Sequence, residues 1–372
     1  MQIGLVDLKT EYKLIQQEIN QAITGVLESA NYILGPKVKQ LETDFSGFSQ
    51  RKYGVAVASG TDALFLAILA SGIKPGDEII TTASTFIATA EAIRRAGAKP
   101  VFADIDLDTY CINPKEIRNK ISQKTKMILP VHLYGQPCDM NGIMKLAQEN
   151  GLSVIEDCAQ ATGAEFKDRK VGAFGLAGCF SFFPTKNLGG YGDGGMVVTD
   201  DENLASKVKL LRNHGAKDKY HHSIHGFNSR LDELQAAILL VKLKYIEKNN
   251  QLRRKNTELL TASLLSKGLD KYLKLPQENK SGRHVYHLFA VRTEKRDGLN
   301  KFLAENGITT LIHYPVALHL EEAYLEMGIK QGTLPNSEIL AEQEISLPMN
   351  PYLTQTQIDY LAQTIAEYYE TK

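Results

Sequence analysis

The stretch that decides the fold is Cys179-Phe180-Ser181-Phe182-Phe183-Pro184-Thr185-Lys186-Asn187-Leu188-Gly189-Gly190-Tyr191-Gly192-Asp193-Gly194-Gly195-Met196-Val197-Val198-Thr199. It carries one lysine, Lys186, in a short loop. Phe180, Phe182 and Phe183 precede it, and Gly189, Gly190, Gly192, Gly194 and Gly195 follow it. A lysine held against apolar walls loses hydration of its ammonium form. Its pKa falls, and the amine becomes a nucleophile toward carbonyls, the chemistry of Schiff-base lysines. Gly190, Gly192 and Gly195 also spell G-x-G-x-x-G. A dinucleotide site needs that pattern to open a helix, whereas Met196-Val197-Val198-Thr199 reads as a strand, so the match is set aside.

Outward from this loop the chain keeps a βα rhythm. Strands are expected over Tyr53–Ala58, Asp77–Thr82, Pro100–Asp104, Met127–His132 and Leu152–Glu156, the last ending at Asp157. Helical spacing separates them, over Ala63–Ala70, a helix from Thr85 to Ala96, Pro114–Ile121 and Met140–Asn150. Two helices precede the rhythm, one over Glu11–Ala30 and one holding Val38, Leu41, Phe45 and Phe48. Such alternation predicts an α/β fold with a mostly parallel sheet between helices. Ligands then gather outside the carboxyl ends of the strands, where Thr61, Phe86, His132 and Asp157 all stand. Ser59-Gly60-Thr61-Asp62 forms a capped helix start whose free N–H groups make a natural phosphate seat.

Beyond the lysine loop, Asn203–Leu211 reads as a helix and Ser229 to about Leu265 as one long helix. Leu288–Val291, Leu299–Asn306, Ile308–His313 and Gln357–Tyr368 then alternate strand and helix. We expect a large domain over residues 1–248, with a seven-stranded type of sheet, and a smaller C-terminal α+β domain over residues 249–372.

Composition excludes several classes. The chain has 372 residues, 43% hydrophobic and 23% charged, an ordinary globular balance. Lys plus Arg (43) equals Asp plus Glu (43), so no overall field draws it to nucleic acid or to an anionic membrane. No apolar run of about 18 residues and no signal-peptide pattern occurs. Cys111, Cys138, Cys158 and Cys179 lack C-x-x-C spacing and read as reduced thiols in a cytoplasmic protein. His221, His222 and His225 come without a matching cysteine or carboxylate set, so no metal site is expected.

Lys186, Asp157, Phe86, Gln160, Ser181 and Gly60-Thr61 together supply what a pyridoxal phosphate (PLP) site needs. A lysine meets the aldehyde, and a carboxylate keeps the pyridine nitrogen protonated so that the ring acts as an electron sink. Donors receive the phosphate, and an aromatic faces the ring. Taken singly, Phe86 also reads as core, Asp157 as a strand-end cap and Arg230 as a salt-bridge residue.

At this point the sequence strongly resembles the nucleotide-sugar aminotransferases called the DegT group, with the aspartate-aminotransferase (type I) PLP fold. The resemblance spans essentially the whole chain. It rests on Ser59-Gly60-Thr61-Asp62-Ala63-Leu64, Thr85-Phe86-Ile87-Ala88-Thr89, His132-Leu133-Tyr134-Gly135, Glu156-Asp157, Ser181 through Gly195, Gly226-Phe227-Asn228-Ser229-Arg230-Leu231-Asp232 and Ile312-His313-Tyr314-Pro315. It implies that Lys186 holds the cofactor and shuttles a proton, that Asp157 partners the pyridinium, and that Phe86 stacks on the ring with Gln160 near it. It implies a phosphate cradle of Gly60, Thr61 and Ser181, with Asn228 supplied by the neighbouring subunit of a homodimer. Lys219, Arg230, His313 and Tyr314 match substrate-side positions. Relatives acting on 3-keto sugars often carry a tyrosine where this chain has Phe183, so a hydroxyl is missing there.

The resemblance implies transfer of an amino group from L-glutamate to the C3 ketone of a dTDP-3-keto-6-deoxyhexose. A UDP-3-keto-glucuronate derivative, or a 4-keto sugar, is the alternative. The N-S-R-L-D form over 228–232 resembles 3-keto enzymes, whereas C4 enzymes more often have tyrosine in place of Ser229. Two other classes share the fold. A dehydratase branch replaces the lysine with histidine, against which Lys186 stands. A PLP-binding regulator carries a DNA-binding domain in front, and no helix-turn-helix or basic patch precedes the first helices here.

Overall fold

The computed structural model describes residues 1–370. Helix α1 spans Leu8–Ser29 and α2 Pro36–Phe48. Then follow β1 (Tyr53–Val57), α3 (Gly60–Ala70), β2 (Glu78–Thr82), α4 (Ala88–Arg95), β3 (Lys99–Ala103), α5 (Pro114–Lys120), β4 (Thr125–Ile128), α6 (Met140–Asn150) and β5 (Ser153–Asp157). Strands β6 (Ala177–Ser181) and β7 (Gly195–Thr199) bracket the lysine loop. Next come α7 (Glu202–Arg212), α8 (Glu233–Leu243), α9 (Ile246–Ser266), β8 (Phe289–Arg292), α10 (Arg296–Glu305), α11 (Pro335–Gln343), β9 (Glu344–Leu347) and α12 (Gln355–Glu370).

The sequence sets these boundaries by ordinary end chemistry. The Asp7 carboxylate accepts the Thr10 N–H at 2.9 Å to start α1, and the Ser59 hydroxyl accepts the Asp62 N–H at 3.1 Å to start α3. Asp201 accepts from Asn203 and Leu204 at the head of α7. Pro36, Pro114 and Pro335 sit in the first turns of α2, α5 and α11, where no N–H is needed.

The main sheet has the order β1-β7-β6-β5-β4-β2-β3. All neighbours are parallel except β7, which runs against both β1 and β6. The α/β sheet read from the βα rhythm is therefore present with its seven strands. Apolar clusters lie on both faces, one around α3 (Leu64, Leu66, Ile68) and one around Phe45, Phe180 and Phe182. A further cluster is built from Leu260, Leu264, Phe289, Leu303, Ile345 and Ile365, with Ile3 of the N-terminus added to it. Here β8 and β9 pair antiparallel.

Two expectations differ from what is observed. The long helix from Ser229 is two helices, and the first begins at Glu233, after Asp232, rather than at Ser229. The break at Lys244-Tyr245 is tied down by α1, since Glu18 accepts from the Lys244 ammonium at 2.9 Å and from the Tyr245 hydroxyl. Beyond the break the buried side turns toward the C-terminal cluster, to which Leu260 and Leu264 belong. Ile308–His313 is not a strand. It makes only isolated bridges, Ile3 with Ile308 and Leu311 with Ser346, and so remains a loop that can carry His313 and Tyr314 over the sheet.

Candidate active site

A chamber of about 450 Å³ opens at the carboxyl ends of β5 and β6. Lys186, Asp157, Phe86, Gln160, Ser181, Gly60, Thr61, His313 and Tyr314 all line it. These come from the helix α3 start, the α4 start, the end of β5, the lysine loop and the 308–315 loop. Two glycines permit the closeness. A Cβ on Gly60 would lie 2.6 Å from the Ser181 Cβ, and one on Gly195 would lie 2.2 Å from the Ser59 carbonyl oxygen. Gly60 and Thr61 therefore bring the unbonded first N–H groups of α3 beside the Ser181 hydroxyl, a cradle for an anion.

Asp157 is buried at the chamber floor. Its Oδ1 accepts the Ala159 N–H at 3.1 Å and its Oδ2 accepts the Thr89 hydroxyl at 2.8 Å. Because Thr89 donates to Asp157, it accepts from Thr85 at 2.9 Å. Burial raises the Asp157 pKa more than these donors and the Lys186 charge lower it. The carboxylate is thus short of a cation. Burial also pushes the Lys186 amine down to about 8, against the pull of Asp157. An appreciable share of it is the free base near neutrality, as a nucleophile requires.

The walls are aromatic. Phe86 is 53% exposed, so one ring face is open to a planar partner. Its centroid is 5.7 Å from that of Tyr314. Gln160 accepts the Tyr134 N–H at 2.7 Å and donates to the Tyr314 hydroxyl at 3.2 Å, which fixes its amide. Burial drives the Tyr314 phenol up and pushes His313 down to about 4, so both are neutral.

Not every expected residue arrives. His132 lies behind the sheet, where its Nδ1 accepts the Cys138 N–H at 3.0 Å and its Nε2 bonds Glu156 at 3.1 Å. With Cys158 these form a close buried cluster, but Glu156 also accepts the N–H groups of Gly172, Phe174 and Gly175. Lys219, Asn228 and Arg230 do not line the chamber of their own chain. Lys219 lies over the neighbouring Tyr220 ring, and Arg230 bonds the Asn213 side chain at 3.2 Å. Asn228 is exposed. Ser229 is buried and accepts the Ala58 N–H at 3.2 Å, so it too faces away.

The chamber also holds residues the sequence did not single out, Thr89, Thr185, Asp193 and His287. Thr89 follows Thr85 by four residues at the head of α4, a spacing that would have placed both on one face. His287 is buried and held neutral by burial and by the Lys186 charge. Its Nδ1 lies 3.2 Å from the Asn187 side-chain oxygen.

The chain matches the DegT/DnrJ/EryC1/StrS aminotransferase family over residues 13–366. It belongs to that family. Its members are PLP-dependent aminotransferases, as the resemblance had implied. Among its relatives is a Geobacillus stearothermophilus protein called pleiotropic regulatory protein, 46% identical over 99% of both chains. A UDP-N-acetyl-3-dehydro-alpha-D-glucosamine 3-aminotransferase of Acidithiobacillus ferrooxidans is 46% identical over 98% of this chain and 97% of that one. A dTDP-3-amino-3,6-dideoxy-alpha-D-galactopyranose transaminase of Aneurinibacillus thermoaerophilus is 43% identical over 98% and 99%. The crystal structure of DesV from S. venezuelae, solved with a ketimine intermediate, superposes with a TM-score of 0.96 at 40% identity, covering 99% of each chain. The family chemistry fits the chamber: a floor carboxylate short of a cation, a lysine of lowered pKa, an open phenylalanine face and an anion cradle stand around one space. Among the described residues, no helix is long and apolar enough to cross a membrane.

Proposed function

We propose that this aminotransferase moves the amino group of L-glutamate to the C3 ketone of a nucleotide-linked sugar, a dTDP-3-keto-6-deoxyhexose, yielding a 3-amino-3,6-dideoxyhexose. The observation that carries the chemistry is the placing of Lys186 and Asp157 in one chamber. The 43% identity to a dTDP-3-amino sugar transaminase supports the choice of sugar. Bound pyridoxal phosphate supplies an electron sink conjugated to the nitrogen in transit.

The residues divide the work. Lys186 would hold the cofactor by its aldehyde, and its amine would take and return the proton on the substrate carbon. Asp157, aligned by Thr89 and Ala159, would keep a proton on the ring nitrogen of the bound cofactor through a charge-assisted hydrogen bond. Phe86 holds the ring from one face, with Gln160 beside it. Gly60, Thr61 and Ser181 receive the phosphate. His313 and Tyr314 border the space left for the sugar.

We further infer a homodimer in which Asn228 serves the partner's phosphate, while Lys219 and Arg230 meet the nucleotide diphosphate. The exposure of Asn228, away from its own chamber, favours that reading. The four buried, unpaired cysteines are in keeping with a reducing cytoplasm. We divide the chain near residue 248, close to the break between α8 and α9, into a PLP-binding domain and a C-terminal domain.

A second reading is a UDP-linked 3-keto sugar, including a 3-keto-glucuronate derivative, favoured by the 46% identity to a UDP-sugar 3-aminotransferase. The test is the reverse reaction, with 2-oxoglutarate as acceptor and a panel of amino sugar nucleotides. Deamination of a dTDP-3-amino-3,6-dideoxyhexose is expected. Activity confined to UDP-3-amino sugars moves the assignment to the second reading. Activity confined to 4-amino sugars overturns the C3 assignment.

A further inference from the structure

A buried carboxylate stands behind the chamber with one polar outlet, and that outlet leads to His313. Glu344 and Ser346 lie two residues apart on β9, on one face of the strand, and both are fully buried. Glu344 Oε2 accepts the His313 backbone N–H at 2.6 Å. Glu344 Oε1 lies 2.5 Å from the Ser346 hydroxyl, which lies 2.9 Å from His313 Nδ1. Tyr134 donates to the His313 carbonyl and fixes the loop from the other side. With Nδ1 engaged, Nε2 is the nitrogen left to the chamber that His313 lines.

The surrounding cations bond groups other than Glu344. Arg296 of α10 bonds the Ala341 carbonyl and Asp297. Arg292 of β8, opposite Glu344 in the strand pair, bonds Gln343 at 3.2 Å. Tyr110, Tyr134 and Tyr314 also face Glu344, and burial raises all three phenols, so they stay neutral. Lys186 and His287 face His313, and burial keeps His287 neutral. Burial pushes Glu344 itself up to about 8, more than Ser346, His313 and Arg296 pull it down. Near neutrality Glu344 therefore holds a proton, while His313 carries only one.

A hydroxyl has one proton to give, so the chain has two ordered states. In the first, protonated Glu344 donates to Ser346, Ser346 donates to Nδ1, and the imidazole proton sits on Nε2. In the second, ionised Glu344 accepts from Ser346, Ser346 accepts from Nδ1–H, and Nε2 presents a lone pair.

We propose that Glu344, Ser346 and His313 form a proton relay, so that a proton drawn into the chamber from His313 Nε2 is replaced from Glu344. One proton leaves Nε2, the Ser346 proton passes to Nδ1, and the Glu344 proton passes to Ser346. The imidazole stays neutral and Glu344 ends as carboxylate. The relay rests on the reading that this chamber takes a sugar ketone, whose oxygen must leave as water and needs a proton as it departs. His313 is the group that meets the substrate. Glu344 and Ser346 are positioning residues.

The test is nitrogen NMR of the holoenzyme labelled at histidine, with His313 identified by the signals missing from His313→Gln. Wild type should carry its proton on Nε2 at pH 6.5 and shift to Nδ1–H as the pH passes about 8. Ser346→Ala should show one tautomer throughout, and Ser346→Thr should restore the switch. At pH 7, Ser346→Ala should lose about tenfold or more in kcat, with KM little changed and the alkaline limb flattened. A wild-type tautomer that does not change between pH 6.5 and 9, or a switch that survives in Ser346→Ala, overturns the relay. The wild-type titration decides even if the alanine variant fails to fold. Because the spectrum needs no sugar, a failed substrate assay and a failed relay are told apart.

Discussion

The two sides of β5 carry adjacent carboxylates that the protein treats in opposite ways. Glu156, on the side away from the chamber, accepts from His132 and from three backbone N–H groups at 2.8–2.9 Å. Burial alone would raise its pKa, but His132 and those N–H groups more than offset it and hold the carboxyl below its ordinary value. Asp157, on the chamber side, has two donors, and burial wins. Both are buried. The number of donors, rather than depth, separates a carboxylate that serves the fold from one that awaits a cation. A structural group is saturated by its own chain, whereas a working group keeps a place open.

The largest expected effect lies at the amine that faces this open place. Lys186→Ala should abolish transamination while the cofactor still binds noncovalently, as followed by absorbance and single-turnover assay. Turnover near the wild-type rate would remove Lys186 from the mechanism. The same variant tests assembly. Mixed with inactive Asn228→Ala, it should regain part of the activity, because one composite site in each heterodimer is intact. No recovery, with heterodimers shown to form, means each chain builds its site alone.

The carboxylate pair comes next and should dissociate cleanly. Asp157→Ala is expected to lose several orders of magnitude in single-turnover rate, with a smaller loss of stability than Glu156→Ala, because it orphans two donors rather than four and removes a buried charge. A loss under about tenfold, equivalent to about 1.4 kcal/mol, would mean another group protonates the ring. Glu156→Ala should do the reverse. It orphans four donors, of which His132 and the Gly172 N–H are buried and the Phe174 and Gly175 N–H groups half-buried, at about 1–3 kcal/mol for each buried one, so urea unfolding should shift by at least about 3 kcal/mol. The activity of its folded fraction should remain within a few-fold of wild type. If Glu156→Ala removes turnover without loss of stability, the distinction between the two sides fails.

Much of this site was legible because its parts follow strand ends and turns. Gly60, Thr61, Phe86, Asp157, Ser181 and Lys186 reach one chamber because a parallel sheet sends all its carboxyl ends to one edge. His132 obeyed the same positional rule and still went elsewhere, because Cys138 and Glu156 hold its two nitrogens behind the sheet. His287, Glu344 and Ser346 were not legible. They belong to the C-terminal region, and only the docking of the 308–315 loop joins β9 to the chamber. The long helix was misjudged because apolar spacing runs through Lys244-Tyr245, while the contacts of Glu18 that fix the break come from over two hundred residues away. Ser229 served as a marker of the 3-keto branch, and its hydroxyl accepts the Ala58 N–H rather than lining the chamber.

The smallest expected effect sharpens the comparison most finely. Thr89 supplies one of the two donors to Asp157, and Thr85 orients it. Thr89→Val keeps the shape and removes the hydroxyl. Because that donor lowers the Asp157 pKa, its loss should raise it further. The working form is the carboxylate, which is lost as pH falls, so the acid limb of the kcat profile should move to higher pH. A hydrogen bond to a charged group contributes about 1.5–3 kcal/mol, so kcat should fall by about tenfold to a hundredfold, less than in Asp157→Ala. KM for the sugar should hold, because Thr89 contacts the carboxylate rather than the space bordered by His313 and Tyr314. Thr89→Ser should restore the limb. An unmoved acid limb in Thr89→Val, with the rate reduced, would show that the hydroxyl only packs the floor and that two donors were never what set Asp157 apart from Glu156.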